Sequence, residues 1–301
     1  MKTIIHYFMW LILPFLVSCA GSKKMRAVRS RLDIIKEAQA RETSQVKHLS
    51  ETRAARWKQN KLDSVINKRY DFRVQRIDAQ MDSLSQEIAG LESLVGDKKK
   101  FRKAYRKVVW PRLEALDSFR NENANRRQVY LMLEDGLNTT QYALFDLAAF
   151  FGPGKYVIPG DKAEMVARSF APLLDSVIRF SDKYKNLPQT AILVVIGFAD
   201  GTGFDPQGHL YAELTGMTGK PKATRPELNK KLSELRAETL ASRLKVLLGS
   251  RLEGKAETDN IKVEFIGLGK GEQYPFPNIS DYREDDERRR IVLCYWAVLP
   301  N

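Results

Sequence analysis

Toward the end of the chain, one carboxylate and one guanidinium are spaced to grip a zwitterion. An apolar run, Ile192-Leu-Val-Val-Ile196, leads into Gly197-Phe-Ala-Asp200-Gly-Thr-Gly203. Further on stands Asn229-Lys-Lys-Leu232-Ser233-Glu-Leu-Arg236-Ala237, on a stretch with helical periodicity. A buried strand ending at Asp200 would present that carboxylate on a loop. Arg236 would add a planar cation with several donors. An anion and a planar cation about one residue's width apart can hold the ammonium and the carboxylate of an amino-acid head. Each residue alone also has a plainer reading. Asp-Gly after a strand makes a turn. An Arg on an amphipathic helix faces solvent. The two could also pair with each other, as a surface salt bridge worth about 0–1 kcal/mol.

The elements that must position them occupy the second half of the chain. Tyr142 to Phe151 reads as a strand, broken by Gly152-Pro-Gly154. Pro159-Gly-Asp161-Lys-Ala-Glu164 reads as a helix start with Asp161 as its cap. Val166, Phe170, Leu173, Leu174, Val177 and Ile178 then give that helix a core-facing side, and Asn186-Leu-Pro188 ends it. Ala191 to Ala199 is a buried strand. Thr224-Arg-Pro226-Glu227 opens a second helix, lined by Leu228, Leu232, Leu235, Leu240, Leu244 and Leu247. Ile261 to Gly267 and Arg289 to Val298 are the last strands. The fold class expected is α+β, with the order β-α-β-α-β-β after a long helical region.

This set of motifs resembles the peptidoglycan-binding domain of the OmpA C-terminal family, which includes the peptidoglycan-associated lipoproteins. The family pattern is a strand, Gly-x-Thr-Asp-x-x-Gly, then Asn-x-x-Leu-Ser-x-x-Arg-Ala on a helix. The resemblance implies a ligand, the diaminopimelate residue of the peptidoglycan stem peptide. It implies that Asp200 binds the ammonium and Arg236 the carboxylate, that Asn229 braces the loop, and that Leu232 adds backbone contacts and packing. Arg289 and Arg290, within Arg288-Arg-Arg-Ile291, match the family's Asn-Arg-Arg-Val and would support the site from beside it. Gly267-Leu-Gly269, with prolines after it, belongs to the same set.

The chain also departs from the pattern. Phe198-Ala199 stand where the family has His-Thr or similar, and Arg288 replaces an Asn. Gly154 stands where peptidoglycan-associated lipoproteins place an Asp. Asp200 and Asn229 lie 29 positions apart, so an insertion of about residues 203–225, rich in Gly, Thr and Pro, separates them. It is read as a flap over the ligand, a platform for another protein, or an obstruction.

The first half is basic and helical. From Lys23 to Glu134, 27 Lys/Arg stand against 15 Asp/Glu, a surplus of +12, whereas residues 135–301 carry 22 of each. Such a surplus suits an anionic partner or a solvated helical surface. Apolar residues recur at Tyr70, Val74, Ile77, Met81, Leu84, Ile88, Leu91 and Val95, in alternating steps of 4 and 3. That is a heptad seam that demands a partner helix. A similar seam holds Val28, Leu32, Ile35, Val46 and Leu49. Between them the frame meets Arg53, Arg56, Asn60, Asp63 and Asn67, so the seam shifts or goes unpaired there. Gly96-Asp97 is the expected helix end, and Pro111 interrupts the next helix. A continuous helix from Lys24 to Val95 would reach roughly 108 Å. A chain folded back as a hairpin at Gly96, halving that reach, and a coiled coil between chains both satisfy the seams.

The first residues carry Lys2, a nearly unbroken apolar run from Ile4 to Val17, and Leu16-Val17-Ser18-Cys19. The run is shorter than the roughly 20 residues a transmembrane helix needs. Its end resembles a bacterial lipobox, which implies cleavage before Cys19, acylation of that cysteine and an outer-membrane lipid anchor facing the periplasm. Ala20 at the second mature position, where no Asp stands, fits outer-membrane sorting. Cys294, in an apolar run, is expected to be a buried small hydrophobe.

Residues 1–18 are therefore read as a lipoprotein signal peptide, 19–134 as a basic coiled-coil stalk, and 135–301 as the OmpA-like domain. Enzyme classes lack their residues. His6, His48 and His209 have no metal-ligand partner at helical or loop spacing. No nucleophile motif or phosphate loop is present, and Gly267-Leu-Gly-Lys-Gly271 follows a strand without opening a helix. The acidic run Asp281 to Glu287 reads as a solvated loop. The expectation is a non-catalytic wall-binding lipoprotein with no metal or cofactor. Its partners would be peptidoglycan, membrane lipid, and a coiled-coil or envelope-machine protein, with export arguing against nucleic acid. The alternative is a scaffold of a secretion, motility or envelope machine whose domain has lost its ligand.

Overall fold

The computed structural model describes residues 2–139, 142–152, 154–253, 260–276 and 279–301, with side chains from Ser22 onward except at Ala148 and Ala149. The side chains of residues 1–21, that of Cys19 among them, lie outside the described set. The chain forms two compact units, residues 1–51 with 71–130, and residues 52–70 with 131–301. The sequence boundary at 134 therefore differs from the division by contacts, because residues 52–70 belong to the second unit. Among the described residues no helix is long and apolar enough to cross a membrane.

The first unit is an antiparallel helical hairpin with returning helices. Its elements are α1 (Lys2–Lys58, which continues into the second unit), α2 (Ser64–Gly96), α3 (Lys98–Ala104), a π-helical turn (Tyr105–Val109), α4 (Trp110–Asn121) and the start of α5 (Asn123–Thr139). Val28, Leu32 and Ile35 of α1 pack with Leu84, Ile88, Leu91 and Val95 of α2, and Phe101, Leu113 and Leu116 close the core. Lys36 pairs with Glu92 at 2.7 Å, while Gln39, one turn further on, donates to the Met81 carbonyl at 3.2 Å, so the two helices run in opposite directions. Over this stretch the seam is filled from within the chain. Pro111 has no N–H for the carbonyl one turn back, and the π-helical turn directly before it widens the helix to pass that defect. Glu42, 3% exposed, accepts two bonds from Arg126 and one from Tyr130, all at 2.9 Å. These bonds offset the cost of taking a carboxylate out of water.

The single long helix expected from Lys24 to Val95 is corrected by the structure. It ends at Lys58 and restarts at Ser64. Asn60 takes a left-handed conformation with φ 54°, and the Lys61 N–H reaches back to the Arg56 carbonyl at 3.0 Å. That is a Schellman closure with Asn in the usual glycine place. Asp63 then caps α2, accepting the N–H groups of Val65 and Ile66 at 2.8 Å each. The break falls where the heptad frame turns polar. The end expected at Gly96-Asp97 is also present, with Asp97 capping α3.

The second unit is α+β. Its elements are β1 (Tyr142–Asp146), α6 (Leu147–Phe150), α7 (Ala163–Lys183), β2 (Gln189–Gly197), α8 (His209–Thr218), α9 (Arg225–Leu252), β3 (Ile261–Gly269) and β4 (Ile291–Pro300). The sheet order is β1-β4-β2-β3, with β2 and β3 parallel and the other neighbours antiparallel. α7 and α9 cover one face. Phe170, Leu174 and Val177 of α7 and Leu240 and Leu244 of α9 share a core with Leu193, Val195, Cys294 and Trp296. Burial pushes the Cys294 thiol up to about 12, so it behaves as the apolar filler expected.

Three local expectations are corrected. The first strand stops at Asp146, because Leu147–Phe150 turn helically and send Leu147, Phe150 and Phe151 into the core. Asp161 does not cap α7, which follows a 3-10 turn at Gly160–Lys162 with no side-chain cap. The acidic run Asp281 to Glu287 is not simply solvated. Asp286 is 6% exposed and accepts the Arg288 N–H at 2.9 Å, starting a 3-10 turn at Glu287–Arg289. The Thr224–Glu227 capping box is present as expected.

α9 lies close against β2 and β3 because glycine lines its track. A Cβ at Gly269 would sit 2.5 Å from both the Lys230 carbonyl oxygen and the Glu234 amide nitrogen, and one at Gly197 would meet the Ser233 carbonyl. The glycine-rich run 267–271 is thus a seat for a helix. Gly269→Ala is expected to lower stability by about 1–3 kcal/mol in denaturant unfolding, since backbone rather than a side-chain tip must give way. A neutral effect would mean that α9 is not held so close.

Candidate functional site

Three elements converge at the end of β2. Past Gly197, the Phe198 amide bonds the Ile291 carbonyl at 3.0 Å and the Ala199 amide bonds the Gly271 carbonyl at 2.8 Å, which holds the chain straight up to Asp200. α9 brings Asn229, Leu232, Ser233 and Arg236 on one face, at i, i+3, i+4 and i+7. All four are buried. Ser233 serves the packing, accepting the Gly271 N–H at 2.9 Å. The turn before β4 supplies Arg289 and Arg290.

Asp200, Asn229, Leu232, Arg236 and Arg290 line one hollow of about 290 Å³. Five of the six residues named from the sequence are therefore brought together. Arg289 is not among them. It is 4% exposed and donates to the carbonyls of Arg283, Glu284 and Glu272, so it fixes the loop behind the hollow.

Arg290, rather than Arg236, forms the ion pair of the hollow. Asp200 does not pair with Arg236. Its Oδ2 accepts from Arg290 Nε at 2.5 Å, and its Oδ1 takes only the Thr202 N–H at 3.3 Å. Arg290 thus engages the carboxylate directly rather than supporting it from beside. Arg236, 8% exposed, gives its Nε to the Lys155 carbonyl at 2.9 Å and lies over the Phe151 ring, 5.7 Å from its centre. Its two terminal nitrogens donate to no other described residue. Burial draws the Arg236 guanidinium down to about 10, Asp200 acts against that, and Arg290 adds to it. It stays charged at neutral pH. Two guanidinium groups against one carboxylate leave the hollow with a formal surplus of one positive charge. Asn229 bridges the Thr202 carbonyl and Glu272, which ties the loop after Asp200 to α9.

The insertion is ordered around α8. Leu214 and Ala223 pack with Leu228 and Leu232 of α9, and Phe204 and Leu210 form one wall of the hollow. It walls the site without filling it. Sequence reasoning missed Phe151, the Lys155 carbonyl and Thr202. Only Thr202, two residues after Asp200, had a signal, as an Asx-turn position.

No family model and no curated protein matches the chain. Among solved structures, a protein described as MotB-like from Desulfovibrio vulgaris aligns with 58% of this chain and 91% of its own, at 20% identity and a TM-score of 0.30. The periplasmic domain of Helicobacter pylori MotB aligns with 52% of this chain and 76% of its own, at 12% identity and a TM-score of 0.29.

Asp200→Ala leaves two guanidinium groups facing each other and is expected to cost about 2–4 kcal/mol in unfolding free energy. Arg290→Ala should cost less, because Arg290 is half-buried and Arg236 remains to offset Asp200. The reverse order in chemical denaturation would contradict the pairing.

Proposed function

We propose that this chain is a non-catalytic binder of peptidoglycan and that the hollow takes the diaminopimelate head of a stem peptide. The observation that carries the reading is Arg236, a buried guanidinium whose Nε is spent on the Lys155 carbonyl while its terminal nitrogens remain for a ligand in a net positive hollow. A ligand carboxylate would accept from those two nitrogens as a bidentate pair. The ligand ammonium would share Asp200 through Oδ1, which carries one long bond. Phe204, Leu210 and Leu232 would exclude water around the pair and strengthen it.

The lipobox at Cys19 extends the proposal to the cell envelope. Acylated Cys19 would hold the chain in the outer membrane on its periplasmic side, and the wall-binding unit would tether that membrane, or an envelope machine, to the sacculus. A scaffold that has lost its ligand is the second reading. The engagement of Asp200 by Arg290 favours it, since an ammonium must then share an occupied carboxylate.

The wild-type chain should cosediment with isolated sacculi. Arg236→Ala should weaken that binding by about 10- to 100-fold, the scale of lost hydrogen bonds to a charged group, with an unchanged fold by circular dichroism. Equal pelleting of wild type and Arg236→Ala would remove this hollow from wall binding. No pelleting by either, together with one crosslinked protein partner, would favour the scaffold.

A further inference from the structure

A second hollow lies within the same unit, across the strand end from the first. Its volume is about 470 Å³. Ile196 and Phe198 line it, whereas Ala199 and Asp200 line the hollow with Arg236. Phe198 and Ala199 are consecutive, and alternation along an extended chain sends their side chains to opposite faces, so the backbone at this step is part of the wall between the two. Phe198 and Asp200 stand roughly 7 Å apart along such a chain.

The lining is aromatic. Tyr142, 39% exposed, has its ring 5.5 Å from Tyr295 and 6.1 Å from Phe276, so three rings form a contiguous wall. Trp57, 42% exposed, belongs to the same lining from the end of α1. A large aromatic left open to water at the mouth of a cavity gives up burial it could have had. The charge differs from that of the first hollow. Asp63 and Lys270 offset each other, and both oxygens of Asp63 are already taken by Val65 and Ile66. The remaining polar groups are neutral. The side chains of Gln59, Asn60 and Ser64 reach the lining and bond to no other described residue. A clefted, aromatic cavity with a few convergent polar groups is the usual form of a small-ligand site.

We infer that this hollow binds a neutral saccharide ring, and specifically the glycan strand of the polymer whose peptide enters the hollow at Arg236. A pyranose has apolar C–H faces that lie flat on aromatic rings and a hydroxyl edge that needs neutral donors and acceptors. Trp57 and the Tyr142 wall supply the first, and Gln59, Asn60 and Ser64 supply the second. The assignment to wall glycan rests on the reading of the first hollow, because a polymer carrying both a sugar and a zwitterionic branch can reach two hollows so close together.

The test uses the full chain and two probes, peptide-free glycan strands and the free stem peptide, titrated by calorimetry. Wild type should bind both. Trp57→Ala should weaken glycan binding by about tenfold while leaving the stem peptide unaffected, and Trp57→Phe should restore most of the loss. Arg236→Ala should show the opposite pattern. Absence of saturable glycan binding by wild type, or glycan binding unchanged in Trp57→Ala, overturns the inference. Maltotetraose bound as tightly as the glycan strand overturns the assignment to the wall. Glycan binding without stem-peptide binding overturns the function proposed for the first hollow and leaves a saccharide site standing.

Discussion

Arg236 can face the end of β2 only because the first half of α9 approaches the sheet backbone without side chains between them. A helix packed on a sheet ordinarily stands about 10 Å away, separated by interleaved side chains. Here Gly197, Gly267 and Gly269 remove them along the track of α9, and Ser233 bonds the Gly271 amide across the gap. The parallel register of β2 with β3, from Gln189 opposite Ile261 to Gly197 opposite Gly269, carries those glycines to the same end of the sheet as Asp200. The glycine positions and the binding residues are therefore one arrangement. A side chain at the first would move the second.

Within that geometry, the assignment of Asp200 to Arg290 decides what Arg236 can do. Had Asp200 taken Arg236, the hollow would hold a closed ion pair and a spare cation near the surface. Instead the more exposed arginine neutralises the buried carboxylate, and the more buried one keeps its outer nitrogens. A largely buried guanidinium is costly to keep charged, and burial accordingly draws Arg236 down to about 10. On the proposed reading, a ligand carboxylate would offset that cost, because folding has already desolvated the cation.

The helix motif was legible because its spacing and its physics coincide. Asn229, Leu232, Ser233 and Arg236 recur at the helical repeat, and one face of α9 buries all four. Strands β2, β3 and β4 were legible as apolar runs, and the Thr224–Glu227 cap as a local motif that needs no tertiary partner. The hairpin at Asn60 was not, because the region lacks Gly and Pro and so reads as continuous helix. Its signals were subtler, an Asn able to take a left-handed conformation and an Asp able to cap. The polar run through the heptad frame, from Arg53 to Asn67, marks the turn. The partner of Asp200 was beyond reach for a different reason. Arg236, Arg289 and Arg290 are alike in type, and only the 3-10 turn started by Asp286 rotates Arg289 into the loop and Arg290 into the hollow.

The departures from the family pattern also acquire a physical sense. Phe198 stands where a His is usual, and it lines the second hollow, whereas Ala199 and Asp200 line the first. A polar ring at 198 would have faced the aromatic wall of Tyr142, Tyr295 and Phe276, whereas a phenyl ring extends it. The long insertion acts on the opposite side. Its residues Phe204 and Leu210 narrow the hollow at Arg236 while α8 stays seated on α9 through Leu214. Both changes raise the apolar content around the same four residues of backbone, one for each hollow.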